Sequence, residues 1–268
     1  MICAGIDAGS RAIKVVLLDA QHGRVLAGGV VDQGVQQEAL AVGLFERLLR
    51  EQGLARSDVT RVVATGYGRN LISMANTTIT EITCHAAGVR RVAPQARSVI
   101  DVGGQDSKVL RLHADGTVRD FAMNDRCAAG TGRFLVVVAA RLGVGLNELG
   151  GMASRSSAPA FVSSTCVVFA ETEIVGLLAS GARAEDIVAG VRQSLAARVA
   201  GMAGRNLEGP VAFTGGVAMI PGMAEAMAEA LGLPVEVAPD PQMTGALGAA
   251  ILAARQCEKG RGGEGVRG

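Results

Sequence analysis

Short apolar runs separated by glycine-containing turns dominate the start of the chain. The runs Ile2–Gly5, Ala12–Leu18 and Arg24–Val31 predict three β-strands, because each is mainly apolar and is bounded by turn residues. Residues 6–10 (IDAGS) predict a tight turn between the first two strands, and Gln21–Gly23 predicts a hairpin turn before the third. The chain therefore opens on a predicted unit of three antiparallel strands.

The same unit recurs further along the chain. Residues 99–102, Lys108–Leu112 and Thr117–Met123 predict three more strands, and His113–Gly116 predicts the hairpin turn. Three residues keep a common spacing of 94 positions from the first unit to the second, namely Asp7 to Asp101, Gly9 to Gly103 and Lys14 to Lys108. An acid, a glycine and a lysine repeated in register indicate an internal duplication.

Helical patterns separate the predicted strands, and a third glycine turn at Phe213–Val217 closes the apolar run Val211–Phe213. The predicted helices are Glu38–Gln52, Gly132–Leu142, Ala170–Ser180, Ala184–Arg205 and Pro221–Leu231. This succession predicts an α/β protein of two domains around a nucleotide cleft. We expect one domain to comprise residues 1–94 plus 244–257 and the other residues 95–243, with a disordered tail at 258–268.

Composition narrows the possible functions. The chain is 49% hydrophobic and 19% charged, which excludes a wholly disordered protein. Its 26 Lys and Arg nearly balance its 25 Asp and Glu, and it has no Trp, so we expect no nucleic-acid partner. No apolar run has the length of a membrane span. The five widely spaced cysteines do not form a disulfide pattern, and we expect a cytoplasmic protein.

The paired acids and glycine turns favour nucleotide phosphates as the ligand. Glycine lets backbone N–H groups approach phosphate oxygens closely, and an Asp from each half can hold Mg²⁺ between the phosphates. Residues 7–10, 101–104 and 214–216 resemble the phosphate-1, phosphate-2 and adenosine motifs of the actin/hexokinase/Hsp70 ATPase superfamily. This resemblance implies a duplicated actin-like, ribonuclease H-like fold. Neither a P-loop nor a Rossmann fingerprint is present.

The candidate ATP site follows from these motifs. Asp7 and Asp101 are the expected Mg²⁺ ligands and catalytic acids, and the amide of Gln105 is expected to orient the attacking water. The remaining expected ATP-binding residues are Gly9, Ser10, Arg11, Ala12, Lys14, Gly103, Gly104, Gly130, Thr131, Gly132, Gly215, Gly216, Val217 and Gln242. For Asp7 and Asp101 the alternative is turn capping, for Lys14 a solvated strand position, and for Thr131 an ordinary helix N-cap.

Two cysteines, Cys127 and Cys166, each lie just before a predicted helix. A helix N-terminus stabilises a thiolate and suits an anionic iron–sulfur cluster. Two thiolates are too few for a [4Fe–4S] cluster, although a two-fold homodimer would supply four. Their spacing by itself favours two structural cysteines.

The segments around these cysteines resemble a known family. Asn124–Phe134 and residues 163–171 are similar to the ATP-dependent activators of (R)-2-hydroxyacyl-CoA dehydratases and to the related ATPase subunits of benzoyl-CoA reductase. Further matches lie at residues 65–70, 81–86, 100–106 and 245–250, so that the resemblance runs from about Gly5 to Ala254.

The resemblance implies a homodimer that holds one [4Fe–4S] cluster between its subunits, with Cys127 and Cys166 of each chain as ligands. It implies an ATP-driven electron donor, reduced by a ferredoxin or flavodoxin, whose client is a dehydratase. The alternatives are the ATPase component of benzoyl-CoA reductase or of another double-cluster enzyme, a small-molecule kinase of the same superfamily, and a non-catalytic nucleotide-binding module.

Overall fold

The structure, a computed structural model, describes residues 1–162 and 166–262. The chain divides into two compact units. The first comprises Met1–Pro94, Asp115–Val118 and the chain from Met243 onward, and the second comprises Gln95–Ala114 and Arg119–Gln242. No helix in the described part of the chain is long and apolar enough to cross a membrane.

The strands and helices alternate along both units. The strands are β1 (Ile2–Ala8), β2 (Ala12–Asp19), β3 (Arg24–Asp32), β4 (Val59–Thr65), β5 (Thr77–Thr78), β6 (Ser98–Val102), β7 (Ser107–Leu112), β8 (Val118–Asn124), β9 (Val211–Thr214) and β10 (Val235–Val237). The helices are α1 (Gln37–Glu51), α2 (Glu81–Val92), α3 (Gly132–Leu142), α4 (Glu148–Ala153), α5 (Val167–Ala179), α6 (Ala184–Ala203), α7 (Met223–Leu231) and α8 (Thr244–Gly262).

The two sheets share one topology. The first has the strand order β3-β2-β1-β4-β5, and the second has the order β8-β7-β6-β9-β10. In each sheet the first strand of the unit pairs antiparallel with the second and parallel with the fourth. The predicted duplicated α/β fold is therefore confirmed.

Each sheet carries its own core. In the first unit, α1 packs Phe45 and Leu48 against β1 and β2. The other side of that sheet is covered by α8, whose alanines pack with Cys3 and Cys84. In the second unit, Ile100 and Phe213 of the sheet pack with Phe134 of α3 and with α6. The strands that carry the repeated Asp and Lys are thus held in fully packed surroundings.

Several predicted boundaries differ from the structure by a few residues, and two of the differences change the description of the chain. Strand β1 continues through Ala8, so Asp7 lies on the strand rather than in the turn, because it pairs with Lys14 in the ladder. Helix α8 continues to Gly262, where a disordered tail was expected from Glu258. The rest of that expected tail, residues 263–268, lies outside the described residues.

Candidate functional site

The end of β1 carries a buried carboxylate with a lysine opposite it. Asp7 is 6% exposed and lies directly across the antiparallel ladder from Lys14 of β2. The Nζ of Lys14 lies 3.2 Å from Oδ2 of Asp7. This pair places a carboxylate and an ammonium at the mouth of the first glycine turn, residues 9–12.

The first glycine turn is tightly closed. The N–H of Gly9 donates to the carbonyl of Ala12 at 3.2 Å, and the Nε2 of Gln33 donates to the carbonyl of Gly9 at 2.7 Å. Ser10, Arg11 and Ala12 form the rest of the turn, and Arg11 is exposed. A Cβ at Gly9 would lie 3.1 Å from the Nζ of Lys14, so glycine leaves the lysine head accessible from the turn.

The second unit repeats this arrangement at greater depth. Asp101 of β6 lies across the ladder from Lys108 of β7, and their Oδ2 and Nζ atoms are 3.5 Å apart. Lys108 is 2% exposed and also forms an ion pair with Asp106. The hydroxyl of Thr214 donates to Oδ1 of Asp101 at 2.9 Å. One buried ammonium therefore lies between two buried carboxylates.

Lys108, Asp106 and Thr214 are not among the site residues predicted from sequence. The spacing of 94 positions between Lys14 and Lys108 was an available signal for the lysine. Asp106 and Thr214 lie within or beside glycine motifs. However, Asp106 reaches Lys108 through a turn, and Thr214 reaches Asp101 from a neighbouring strand. Sequence position alone does not reveal those contacts.

The first turn of α8 borders Asp7. A Cβ at Gly245 would lie 3.2 Å from Oδ2 of Asp7 and 3.2 Å from Nε2 of His85. The buried ring of His85 is held by its Nδ1 against the hydroxyl of Thr244, 3.1 Å away. The N-terminal turn of α8 therefore lies beside the carboxylate of Asp7. Thr244, Gly245 and His85 were not predicted as site residues.

The second glycine turn, residues 103–106, is bonded to the start of α3. The N–H groups of Gly132 and Arg133 donate to the carbonyls of Gly103 and Gly104 at 2.8 and 2.9 Å. Thr131 caps α3, accepting from the N–H of Arg133, and its hydroxyl donates to the carbonyl of Ala128 at 2.9 Å. Gln105 is exposed at the tip of the turn, where a side-chain amide can reach solvent water.

The third glycine turn, residues 215–217, needs glycine at its first position. Gly215 has φ +87°, and a Cβ there would lie 2.3 Å from the carbonyl oxygen of Val102. Its N–H donates to the carbonyl of Pro241 at 2.9 Å, which brings the segment containing Gln242 against the turn. Gly216 is exposed and Val217 is buried. The predicted members of this turn are thus brought together within the second unit.

Cys127 is held by its backbone. The side chain of Asn124 accepts from the N–H of Cys127 at 3.0 Å and donates to its carbonyl at 2.7 Å. A single 3-10 turn, Ala128–Gly130, then joins Cys127 to Thr131 and α3. Beside Cys127 is a cavity of about 130 Å³, lined by Ser107, Asn124, Cys127, Gly130, Arg198, Val199 and Met202. We call it the Cys127 cavity.

Cys166 is the N-cap residue of α5 and is half-buried. Residues 163–165 of the segment that resembles the activator family lie outside the described residues. Helix α5 buries Ala170 and Ile174, while Val168 and Phe169 are about two-thirds exposed, at 68% and 70%. Cys127 and Cys166 thus lie at the starts of two different helical segments of one unit.

The other cysteines have a different environment. Burial raises the pKa of Cys84 to about 12, and burial together with the adjacent Cys257 raises the pKa of Cys3 to about 12. Thiols of this kind remain protonated and are poor metal ligands. Among the described residues no three His, Cys, Asp or Glu side chains are grouped as a metal site within one chain.

Residues 4–253 match the model of the BadF/BadG/BcrA/BcrD ATPase family. The chain belongs to this family. It is 43% identical over 258 residues to the 2-hydroxyisocaproyl-CoA dehydratase activator of Clostridioides difficile, covering 94% of this chain and 95% of that one. It is also 32% identical over 269 residues to one of the subunits of benzoyl-CoA reductase from Thauera aromatica, covering 96% and 95%.

Solved structures place this ATPase-family member in the expected fold. An activator of the 2-hydroxyisocaproyl-CoA dehydratase from Clostridium difficile with bound ADPNP matches with a TM-score of 0.91 at 40% identity, covering 100% of this chain and 99% of that one. A hexokinase of the ROK type from Thermus thermophilus matches with a TM-score of 0.54 at 16% identity, covering 97% and 100%. The second likeness shows the actin-like kinase fold alone.

Proposed function

We propose that the protein is an ATP-hydrolysing iron–sulfur electron donor that reductively activates a (R)-2-hydroxyacyl-CoA dehydratase. The observation that carries this proposal is the direct bonding of the second glycine turn to the start of α3, which a single 3-10 turn connects to Cys127. That bonding links a phosphate-binding motif to a candidate cluster ligand within one packed unit. The identity to a dehydratase activator over nearly the whole chain supports the choice of client.

Asp7 and Asp101 fit a Mg²⁺–ATP ligand. Both carboxylates are buried at strand ends, both face a lysine, and oxygen donors are the ligands that Mg²⁺ prefers. In our proposal the two acids hold the metal, directly or through water, and the two lysines offset the charge of the phosphates. Gly9, Ser10, Arg11 and Ala12 cradle one phosphate, and Gly103 and Gly104 cradle another. Gln105 orients the attacking water.

The third glycine turn fits the adenosine end of the nucleotide. Gly216 leaves open space, since a Cβ there would meet no atom within 4 Å, and Val217 supplies an apolar wall. Gln242 is held beside the turn by the bond from Gly215 to Pro241. We assign Gly215, Gly216, Val217 and Gln242 to this end, and Gly130, Thr131 and Gly132 to the link between the phosphates and Cys127.

Cys127 and Cys166 fit an iron–sulfur cluster by their chemistry. Both thiols are partly accessible, both precede a helical turn or helix, and Cys3 and Cys84 are too buried for this role. When bound, a [4Fe–4S] cluster supplies one low-potential electron. Because one chain offers two such thiols, we propose that a two-fold homodimer provides all four ligands.

The exposed face of α5 supports the same homodimer. Val168, Phe169 and Val175 are exposed, and Phe161, five residues before Cys166 in sequence, is 82% exposed. An apolar surface of this kind beside a cluster ligand favours burial against a second copy of the chain.

In our proposal the protein is itself reduced by a ferredoxin or flavodoxin, which transfers single electrons.

The link from nucleotide to cysteine runs through hydrogen bonds of the second unit. If hydrolysis moves the carbonyls of Gly103 and Gly104, the N–H groups of Gly132 and Arg133 must move with them or lose their partners. Thr131 and the turn Ala128–Gly130 transmit that movement to Cys127. This route couples ATP hydrolysis to the position of Cys127 without a change in the hydrophobic core of the second unit.

The test is ATP-dependent electron delivery under anaerobic conditions. The dithionite-reduced protein is mixed with a purified 2-hydroxyacyl-CoA dehydratase, with ATP or with ADP, and oxidation of the donor is followed by visible absorption. We expect the donor to be oxidised with ATP and not with ADP, and we expect Asp101→Asn to lose both ATP hydrolysis and donor oxidation.

Oxidation of the donor by a benzoyl-CoA reductase and not by the dehydratase would select the client suggested by the relative from Thauera. ATP-dependent phosphorylation of a hydroxyl compound without iron would select the kinase alternative.

A further inference from the structure

The second unit contains a partly buried guanidinium with an unsatisfied donor. Arg198 lies on α6 and is half-buried, and its Nε is buried without a hydrogen-bond partner among the described residues. No ion pair or ring contact is found for this side chain in the described part of the chain. A buried donor without an acceptor is destabilising, and more so when it carries a charge.

Arg198 lines the Cys127 cavity. It shares that cavity with the hydroxyl-bearing Ser107, with Asn124 and with Cys127 itself. A Cβ at Gly130 would lie 3.9 Å from the Cβ of Arg198 and 3.2 Å from the Nδ2 of Asn124, so the stem of the arginine passes directly by the turn that follows Cys127. Among the described residues that line the cavity, Arg198 is the cation, and the carboxylates of Asp101 and Asp106 are not part of the lining.

A cation that lines a small cavity with no carboxylate among its described lining residues is suited to an anionic ligand. The anion at Cys127 in our proposed function is the thiolate-bound cluster, and this inference rests on that function. Hydrogen bonds and nearby charge at the ligand sulfurs are levers on the reduction potential of such clusters. The sulfur of Cys127 is a weak acceptor as a thiol and a strong one as a thiolate.

We propose that Arg198 is a positioning residue for the cluster, supplying the positive charge that the Cys127 side of the cluster requires. The guanidinium stabilises the reduced form more than the oxidised form, because the reduced form carries one more negative charge. It therefore holds the reduction potential higher than the same cluster would have without it. In the cluster-free protein the same side chain is a cost to stability.

The experiment compares Arg198→Gln and Arg198→Lys with wild type and with Arg192→Gln. Arg192 is a matched control, because it lies on the same helix and also has a buried Nε without a partner among the described residues, yet does not line the cavity. The midpoint potential of each anaerobic, iron-loaded protein is measured by EPR-monitored titration. The thermal midpoint of each iron-free protein is measured beside it.

We expect Arg198→Gln to lower the ratio of reduced to oxidised cluster at a fixed potential about tenfold, a shift of about 59 mV for one electron. The potential of Arg198→Lys should lie nearer to that of wild type, and the potential of Arg192→Gln should equal that of wild type. The iron-free Arg198→Gln protein should unfold at the same temperature as wild type or higher, which a merely structural role would not allow. If Arg198→Gln loses iron, recovery of iron in Arg198→Lys supports the proposal, and no recovery overturns it.

Equal potentials in Arg198→Gln, Arg192→Gln and wild type would overturn the inference while leaving the proposed function intact. Stabilisation of the iron-free wild type by inorganic phosphate, abolished in Arg198→Gln with no change in potential, would assign the cavity to a free anion and also overturn it. Iron-free wild-type protein that cannot be reconstituted would instead overturn the proposed function and this inference together.

Discussion

Loss of Lys108 should be costly to the second unit. It is 2% exposed and lies between the carboxylates of Asp101 and Asp106. Replacing Lys108 by Met should lower the free energy of unfolding by about 3–5 kcal/mol, because removing one partner leaves buried charge uncompensated. Urea unfolding of the nucleotide-free protein measures this loss.

The duplicated pair in the first unit provides the matched control. The side chain of Lys14 is 17% exposed and faces one carboxylate in the ladder, so Lys14→Met should cost clearly less than Lys108→Met. Equal losses for the two variants would contradict the role assigned to the depth of burial.

At this scale the sequence predicts residues that repeat and misses residues that meet only in three dimensions. Asp7 and Asp101 were selected because their spacing and glycine neighbours recur, and the structure places both at equivalent positions of equivalent strands. The contact of Thr214 with Asp101 and the position of Arg198 at the Cys127 cavity are not predicted, because each arises between residues far apart in sequence. The turn at Gly215 can be predicted from sequence, because a backbone φ of +87° favours glycine over other residues.

Helix α6 is the element that supports both cysteine segments. Arg198, Val199 and Met202 line the Cys127 cavity near its C-terminal end. Near its N-terminal end, the carboxylate of Asp186 accepts from the hydroxyl of Ser156 at 2.7 Å and from the N–H groups of Ser157 and Ala158. A Cβ at Gly190 would lie 1.8 Å from the carbonyl oxygen of Ala160, so the segment leading towards Cys166 lies directly on the helix backbone.

Asp186 should make this anchoring dependent on pH. The hydrogen bond from Ser156, followed by that from Ala158, holds the pKa of Asp186 below its ordinary value of 3.8. Its contribution to stability is therefore present above pH 3.8 and is lost as the pH falls through the lowered pKa. We expect Asp186→Asn to lower the thermal midpoint of the iron-free protein at neutral pH, with a deficit that disappears at strongly acidic pH.

Glu185→Gln is the control for that prediction, because Glu185 makes ion pairs at 3.7 and 3.9 Å with Arg183 and Arg155 and does not anchor the segment's backbone. The effect of Glu185→Gln on the thermal midpoint should be small at every pH from neutral to strongly acidic. A deficit in Asp186→Asn that persists unchanged below the lowered pKa would show that the carboxylate charge is not what anchors the segment.

The sequence predicts some helices with close bounds and misses others. The predicted helix Gly132–Leu142 has the bounds of α3, and α6 begins at the predicted Ala184. Helices α2 and α8 are not predicted, because alanine and glycine fill the middle of α2 and make up much of α8, and they give a weaker apolar signal than Leu, Ile or Val. Close backbone contact between the two helices at Gly88 and Gly248 explains why small residues fill both.

On the scale of the whole molecule, the apolar face of α5 should govern assembly. Phe169 is 70% exposed and lies three residues beyond Cys166. If this face is the homodimer interface, Phe169→Glu should convert the dimer to a monomer, because a buried carboxylate without a partner opposes association. Light scattering coupled to gel filtration measures the mass of the particle.

Val35→Glu is the matched control for Phe169→Glu, since Val35 is fully exposed in the first unit, far along the chain from α5. It should leave the mass unchanged. A Phe169→Glu protein that remains dimeric and still binds iron would place the interface elsewhere.

The central claim is that Cys127 and Cys166 of two chains hold one cluster, and iron and acid-labile sulfide counts on anaerobically purified protein test it most directly. We expect about four irons and four sulfides per two chains. Cys127→Ser and Cys166→Ser should each lose them while still binding ATP, whereas Cys84→Ser should keep the iron. Colourless wild-type protein that gains no iron on reconstitution, or unchanged iron in Cys127→Ser, would contradict the claim.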